Sequence, residues 1–136
     1  MGRLLLILIV FGFLLSYCLS TVTVVNIILR CQHPLNPIAT VFLMERDYGN
    51  SAIDEDDTLA FATYDLRNNS LELSLSGEEF EILGIEPYIF VFHSCKAISQ
   101  EYTIPLGRNL FFSRIFDVTI DLDTEKETIE SRKLYP

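Results

Sequence analysis

A histidine and a cysteine lie two residues apart in FVFHSC, residues 90–95, at the end of a run of strand-forming residues. Side chains two apart on a strand point to the same face, so His93 and Cys95 have the arrangement of a base beside a thiol nucleophile. A working nucleophile also needs a free thiol and a third group that orients the base, and an isolated Cys/His pair is a weak indication of either. We therefore expect no catalytic residue, and we interpret His93 as a hydrogen-bonded core histidine.

The three cysteines fall into two groups. Cys18 lies in the apolar N-terminal segment, whereas Cys31 and Cys95 lie in the remainder of the chain. In an oxidising compartment two such cysteines are usually joined in a disulfide. The alternatives are a zinc site, which would need further Cys or His ligands at short spacing, and a reactive free thiol. Neither alternative has supporting neighbours in the sequence, so a disulfide is favoured.

A run of four acids, Asp54, Glu55, Asp56 and Asp57, is the best candidate for cation binding, because calcium is held by several oxygen ligands. The run lacks the alternating ligands and the turn glycine of an EF-hand, and consecutive side chains point in different directions. A solvated loop is therefore the favoured interpretation, and we expect no metal and no cofactor.

A glycosylation motif occurs at Asn68-Asn69-Ser70, within the segment DLRNNS that is predicted to form a hairpin loop. Sequons are used when they lie on the surface of a protein that enters the secretory pathway. Asn68 is therefore the candidate glycosylation site.

The first residues, 1–20, contain an early arginine, then an uncharged apolar block, then small or weakly polar residues. This order is typical of a secretory signal peptide that is cleaved after Ser20 or Cys18. The alternative is an uncleaved membrane anchor, because no further charge occurs before Arg30. The β-branched residues that begin at Thr21 favour a strand there, and hence a cleaved signal peptide.

The charge of the chain is strongly acidic. It has 10 basic and 19 acidic residues, a formal net charge of −9, and removal of residues 1–20 takes away one arginine and no acid, which leaves −10. Such a surface repels phosphate backbones and excludes nucleic-acid binding. Basic partners are favoured, and the acids at 54–57 form the candidate partner-binding loop, because solvated charges steer molecular encounter.

From Thr21 onward, apolar and β-branched runs of strand length alternate with turn signals. The predicted strands span residues 22–30, 39–46, 58–64, 70–75, 87–94, 101–105 and 115–122. About seven short strands favour an all-β sandwich, which we place at 21–124. Residues 125–136 are highly charged and are predicted to form a loose tail with an optional helical turn.

The side chains of the predicted strand 87–94 divide between two faces by period-two counting. Ile89, Val91, His93 and Cys95 share one face, and Tyr88, Phe90, Phe92 and Ser94 share the other. If Cys95 points into the core to meet Cys31, His93 is drawn inward beside it.

This pattern resembles the transthyretin-like family of proteins that nematodes secrete. The resemblance covers the chain from about Val24 to about Leu122, and its most specific part is the spacing P-x-I-x-V-x-H-x-C at 87–95. The other matching features are Cys31 with a proline shortly after it, VFLMERD at 41–47, DEDDTLA at 54–60, Thr63 with Asp65, Leu71, Leu73, Gly77, Ile85, and Ile104 with Pro105. The chain departs from the family in lacking the hairpin glycine near Asn69, a glycine in the first strand and a second cysteine pair.

The resemblance implies a transthyretin-like β-sandwich, an extracellular location, a Cys31–Cys95 disulfide, and a role in binding or bridging like that of family members in cell-corpse recognition and neuronal signalling. The same fold also supports an enzyme that opens 5-hydroxyisourate, whose family relies on several histidines, an arginine and a C-terminal Tyr-Arg-Gly-Ser. This chain has two histidines, His33 and His93, and ends in KLYP. The residues that such a hydrolase needs are therefore not present.

The sequence thus predicts a secreted β-sandwich that binds an extracellular protein or a cell-surface receptor and is not an enzyme. Two alternatives stay open. A small secreted hydrolase would need a polar pocket with a usable base, and a membrane-anchored interaction domain would need the apolar N-terminal segment to remain attached. After cleavage of that segment we expect no stable membrane insertion.

Overall fold

The computed structural model describes residues 2–47, 56–68, 72–79, 84–108 and 110–134. Within these ranges the chain forms one helix followed by eight β-strands. The elements are α1 (Gly2–Leu19), β1 (Thr21–Arg30), β2 (Ile38–Glu45), β3 (Asp57–Asp65), β4 (Leu73–Glu79), β5 (Pro87–His93), β6 (Gln100–Pro105), β7 (Arg114–Asp121) and β8 (Lys126–Lys133).

The strands form two four-stranded sheets. Sheet 1 has the order β4-β1-β7-β8, and sheet 2 has the order β3-β2-β5-β6. Strands β1 and β7 pair in parallel, and the other described pairs are antiparallel. Buried apolar side chains from both sheets form one hydrophobic cluster among the described residues, so the sheets pack face to face. The all-β sandwich predicted from the sequence is confirmed.

The core lies between the sheets because inward and outward side chains alternate along the strands. Every second residue of β1 is buried, and β2 and β5 show the same alternation. This is the pattern expected of strands that have one face in a core. The inward set of β5 is Ile89, Val91 and His93, followed by Cys95, as period-two counting predicted. The outward side chains of β5 are therefore not part of the core.

Strand β4 extends further than the sequence predicted. The predicted strand was 70–75, of which residues 70 and 71 lie outside the described residues, whereas β4 spans Leu73–Glu79 and pairs with β1, with Leu75 opposite Val25. The prediction stopped early because serine, glycine and two glutamates interrupt the apolar pattern after Leu75. Gly77 is needed there, since a Cβ atom at this position would lie 2.4 Å from the Cβ of Leu59 on β3. Glycine therefore allows β4, at the edge of sheet 1, to lie close to β3, at the edge of sheet 2.

The largest departure from the sequence prediction is at the C-terminus. Residues 126–133 were predicted to belong to a loose tail, but they form strand β8. This strand pairs with β7 over eight consecutive positions, from Asp121↔Lys126 to Arg114↔Lys133. Asp121 makes the turn, since its Oδ1 accepts hydrogen bonds from the backbone N–H groups of Asp123 (2.9 Å) and Thr124 (3.2 Å). The prediction failed because β8 is exposed along its whole length and carries no apolar alternation. Its backbone hydrogen bonds to β7, and not the burial of side chains, hold it in the sheet.

A single residue, Ser20, separates the end of helix α1 from the start of β1. This change of structure coincides with the predicted boundary between a signal peptide and a mature domain. Within the part of the chain that the structure describes, no helix is long and apolar enough to span a membrane. Cleavage of the N-terminal segment stays a prediction.

Candidate interaction surface

The outward side of sheet 2 carries a row of phenylalanine rings. Phe61 on β3 lies opposite Phe42 on β2, and Phe42 lies opposite Phe90 on β5. The ring centroid of Phe42 is 5.9 Å from that of Phe61 and 6.0 Å from that of Phe90, which is the spacing of interacting aromatic pairs. Phe92 lies two residues after Phe90 and therefore projects from the same side. We call Phe42, Phe61, Phe90 and Phe92 the aromatic face.

The aromatic face is open to solvent. Phe61 is 67% exposed and Phe92 is 41% exposed, while Phe42 and Phe90 are half-buried between them. An antiparallel sheet with one side in a core ordinarily carries polar residues on its other side. A contiguous apolar patch in that position is typical of an interaction surface.

One end of the aromatic face has a polar rim. The Tyr88 hydroxyl donates a hydrogen bond to Oδ2 of Asp56 at 2.7 Å, and the guanidinium carbon of Arg46 lies 5.5 Å from the centre of the Tyr88 ring. Burial, reinforced by the hydrogen bond to Asp56, raises the pKa of Tyr88 to about 12. The phenol therefore stays protonated at physiological pH and continues to donate to Asp56.

A second acid flanks the face on β6. Glu101 is exposed and lies opposite Phe92. On the other side of Phe92 lies Thr40, which in turn lies opposite Thr63. The aromatic rings are thus bordered by threonine hydroxyls and by the carboxylates of Asp56 and Glu101.

The opposite end of the sandwich is closed by the disulfide. Cys31 and Cys95 are both buried, and their Cα atoms are 5.9 Å apart across the bond. Cys31 follows β1 in sheet 1, and Cys95 follows β5 in sheet 2. The bond therefore fastens one sheet to the other.

His93 supports this end of the fold. Its side chain is 3% exposed, and its Nδ1 accepts a hydrogen bond from the backbone N–H of Cys95 at 3.2 Å. Burial lowers the pKa of His93, and the charge of Glu125 acts in the opposite direction. A neutral, buried histidine beside a sulfur that is already bonded does not generate a thiolate nucleophile. The interpretation of His93 as a hydrogen-bonded core residue is confirmed.

The disulfide sulfurs lie close to a carboxylate, an arrangement that resembles a metal site. Ligand atoms of Cys31, Cys95 and Asp123 lie within 4.8 Å of one another. Zinc is bound by thiolates, and sulfurs that share a disulfide are not thiolates, so this cluster does not fit a zinc ion. Asp123 has a structural role instead, because its Oδ2 accepts the backbone N–H of Gln32 at 2.7 Å and so holds the loop after β1.

Comparison with known proteins agrees with this architecture. The chain is 47% identical over 58 residues to transthyretin-like protein 2 of Caenorhabditis elegans, a match that covers 41% of this chain and 37% of that relative. No family model matches the chain. No solved structure matches it either. The chain is similar to the nematode transthyretin-like family. Its fold is a transthyretin-like β-sandwich.

The predicted partner-binding loop is described only in part. Asp54 and Glu55 lie outside the described residues, whereas Asp56 and Asp57 are exposed at the start of β3. Asp56 is bound to Tyr88 and therefore belongs to the rim of the aromatic face. The loop's role in binding stays a prediction, and its described end lies beside the aromatic face.

The candidate glycosylation site lies in the turn after β3. Asn68 is exposed, and its backbone N–H donates to the carbonyl oxygen of Asp65 at 3.0 Å. Asn69 and Ser70 lie outside the described residues. An exposed turn is compatible with glycan transfer, and use of the sequon stays a prediction.

The aromatic face could not be identified from the sequence. Period-two counting had placed Phe90 and Phe92 together on the side of their strand away from Cys95. It could not add Phe42 and Phe61, because those residues join the row only through the pairing of β2 with β3 and β5. The signal available in the sequence was a phenylalanine in each of three separate predicted strands, namely Phe42, Phe61 and Phe90.

Proposed function

We propose that this protein is secreted and binds another extracellular protein through the aromatic face. The observation that carries the proposal is the row of interacting phenylalanine rings on the outward side of sheet 2. Keeping Phe61 and Phe92 in water is unfavourable, because apolar surface gains free energy when it is removed from water. A partner that covers the rings recovers this free energy.

The composition of the face supports protein recognition. Protein interfaces are enriched in aromatic residues at their centres and polar at their rims. The aromatic face has this arrangement, with phenylalanines at the centre and with Tyr88, Asp56 and Glu101 around them. A few aromatic anchors commonly account for most of the binding free energy, so Phe61 and Phe92 are the expected anchors.

Secretion is supported by the disulfide and by the N-terminal segment. Disulfides persist in oxidising compartments and are rare in the cytosol. A cleaved signal peptide would leave β1 as the start of the mature chain. N-terminal sequencing of protein from the medium should therefore begin near Thr21, and a full-length chain in membranes would instead support the anchored alternative.

Action by binding, and not by catalysis, is supported by the state of His93 and Cys95, the pair with the arrangement of a base beside a nucleophile. Cys95 is in the disulfide and His93 is buried with its Nδ1 engaged. The similarity to a transthyretin-like protein is in line with this view. Turnover of a small substrate by the pure protein would contradict it.

The test measures how much of a specific partner is retained from an extracellular fraction of the source tissue by each of three immobilised, secreted proteins. They are the wild type, an aromatic-face variant with Phe61→Ser and Phe92→Ser, and a matched control with Phe111→Ser and Phe112→Ser. The control residues are phenylalanines that are 58% and 65% exposed but lie outside the aromatic face. Truncation of two anchors should reduce retention of a specific partner by roughly tenfold or more, with little change in the control.

The result that would contradict the proposal is equal retention by the wild type and the aromatic-face variant. Circular dichroism and an intact disulfide in all three proteins would show that the comparison is between folded molecules.

A further inference from the structure

We propose that the aromatic face recognises cationic side chains, arginine above all, on an extended segment of the partner. This inference rests on the proposed binding function and names the chemistry of the partner. It is carried by the exposure of the rings, by the position of Arg46 and by the charge around the face.

Two rings of the aromatic face are accessible to a ligand. Phe61 stacks on Phe42 with an interplanar angle of 30° and is still 67% exposed, and Phe92 is 41% exposed. The negative potential of an aromatic ring lies over its face, where a cation binds best. Phe61 and Phe92 therefore present sites for a cation from outside the domain.

The structure already contains one such contact on the same side of the sheet. Tyr88 lies two residues before Phe90, and the guanidinium carbon of Arg46 lies 5.5 Å from the centre of its ring. This distance is within the roughly 6 Å range of a cation–π interaction. Among the described residues, no arginine or lysine lies over Phe61 or Phe92 in this way. Phe61 and Phe92 are left for cations that a partner supplies.

The charge of the chain favours a basic partner over a second copy of itself. The chain carries a formal net charge of −9, and the carboxylates of Asp56 and Glu101 border the face. Two copies meeting through this face would bring like charges together, which is unfavourable. A cationic side chain over Phe92 would instead lie beside Glu101. Charge complementarity of this kind raises both the rate and the specificity of association.

Arginine suits the face better than lysine. Its guanidinium group is planar, stacks on aromatic rings and is more weakly hydrated than an ammonium group, so less free energy is lost when it leaves water. Its fork of N–H donors can also reach a carboxylate while it stacks. An extended segment places alternate side chains on one side, which matches the spacing of outward residues on the strands below.

The experiment measures binding of fluorescent octapeptides to the secreted protein by anisotropy. Four peptides alternate threonine with arginine, lysine, citrulline or glutamate. Citrulline keeps the planar shape of arginine but has no charge, so it is the matched control for the cation. We expect the arginine peptide to bind several-fold more tightly than the lysine peptide and about tenfold more tightly than the citrulline peptide.

Protein variants locate the binding site. Phe61→Leu and Phe92→Leu keep an apolar side chain but remove the ring, and each should weaken binding of the arginine peptide about threefold. Phe111→Leu with Phe112→Leu is the matched control and should leave the affinity unchanged. Binding of the arginine peptide should also weaken as salt is raised from low to physiological concentration.

Equal affinity for the arginine and citrulline peptides, or binding that the Phe→Leu changes on the face do not affect, would overturn this inference. So would sedimentation of the wild type as a dimer that Phe61→Ser and Phe92→Ser dissociate, because the face would then bind a second copy. If partner capture depends on the aromatic face but the arginine preference is absent, the inference fails and the proposed function stands. If capture does not depend on the face, the proposed function fails.

Discussion

The outward sides of the two sheets differ in chemistry although they belong to one sandwich. On sheet 1, Asn26 Nδ2 donates to Asp117 Oδ1 at 2.7 Å, Ser74 Oγ donates to Asn26 Oδ1 at 3.0 Å, and Arg132 forms an ion pair with Asp117. On sheet 2, the corresponding centre holds the aromatic face, with Phe61 67% exposed. The polar network satisfies its own hydrogen-bonding groups, whereas the aromatic rings remain partly in water.

This difference indicates that the outward side chains of sheet 1 contribute mainly to the stability of the fold, whereas those of sheet 2 are available for binding. The side chains at the centre of sheet 1 contribute to the fold through contacts that are complete within the domain. Those on sheet 2 gain most when another molecule covers them. We therefore expect substitutions on sheet 1 to change the free energy of unfolding and substitutions on the aromatic face to change binding.

The largest effect should come from a change that affects both sides together. Replacing Cys31 and Cys95 by alanine removes a bond between residues 64 apart in sequence, which on the chain-entropy account lowers the free energy of unfolding by about 4 kcal/mol. Both sheets should lose structure in the same denaturant transition, because they share one core. Thiol titration of the unreduced, denatured wild type should find no free thiol from these two residues. Two free thiols would contradict the disulfide.

A smaller effect, confined to sheet 1, should follow from Asn26→Ala. This change removes the hydrogen bonds to Asp117 and Ser74 and should lower the free energy of unfolding by about 1–2 kcal/mol, measured by denaturant titration. It should leave partner retention unchanged.

The reciprocal control on sheet 2 is Phe61→Thr, which should change stability by less than about 1 kcal/mol but weaken retention. Loss of retention in Asn26→Ala would remove the distinction between the two sheets.

The pH dependence of stability tests the disulfide end, which lies away from the polar rim of the aromatic face. Burial lowers the pKa of His93, so below the ordinary histidine pKa of about 6.5 the unfolded chain binds a proton that the folded chain does not. The stability that the neutral His93 contributes is complete above this pH and is lost as the pH falls toward the lowered pKa. Unfolding at pH 7.5 and 5.5 should show a smaller difference in His93→Gln than in the wild type. The exposed His33 supplies the control, and an equal reduction in His33→Gln would contradict the assignment.

The smallest effect on the fold should come from Asn68→Gln. Asn68 is exposed in the turn after β3, so its replacement should leave the free energy of unfolding nearly unchanged. It should abolish the shift in electrophoretic mobility that amidase treatment produces in the secreted protein. Absence of a shift in the wild type would mean that the sequon is not used.

Much of the fold could be predicted because it depends on local pattern. Runs of apolar and β-branched residues predicted β1, β2 and β5, and period-two counting divided the side chains of β5 between two faces, since successive side chains of a strand point to opposite faces. The same counting placed His93 and Cys95 on one face, and this face is buried in the structure. The signal-like segment and the two remaining cysteines together favoured the disulfide that closes the sandwich.

The features that could not be predicted from the sequence depend on pairing between distant segments. Strand β8 has no buried side chain, so nothing in its own composition distinguishes it from a charged tail, and the hydrogen-bonding edge of β7 decides its structure. Strand β4 extends past Leu75 because it pairs with β1 as far as Glu79, and residue 77 must be glycine because Leu59 approaches it from the other sheet.

The sequence by itself determined the class of fold, the acidic charge and the residues available for a disulfide, because these follow from composition and from spacing within a segment. The tertiary structure alone decided that Phe61, Phe42 and Phe90 form one row, since each ring comes from a different strand and a shift of register by one residue would turn its strand's outward side chains to the other face. The candidate interaction surface exists because strand pairing brought the outward sides of separate segments together.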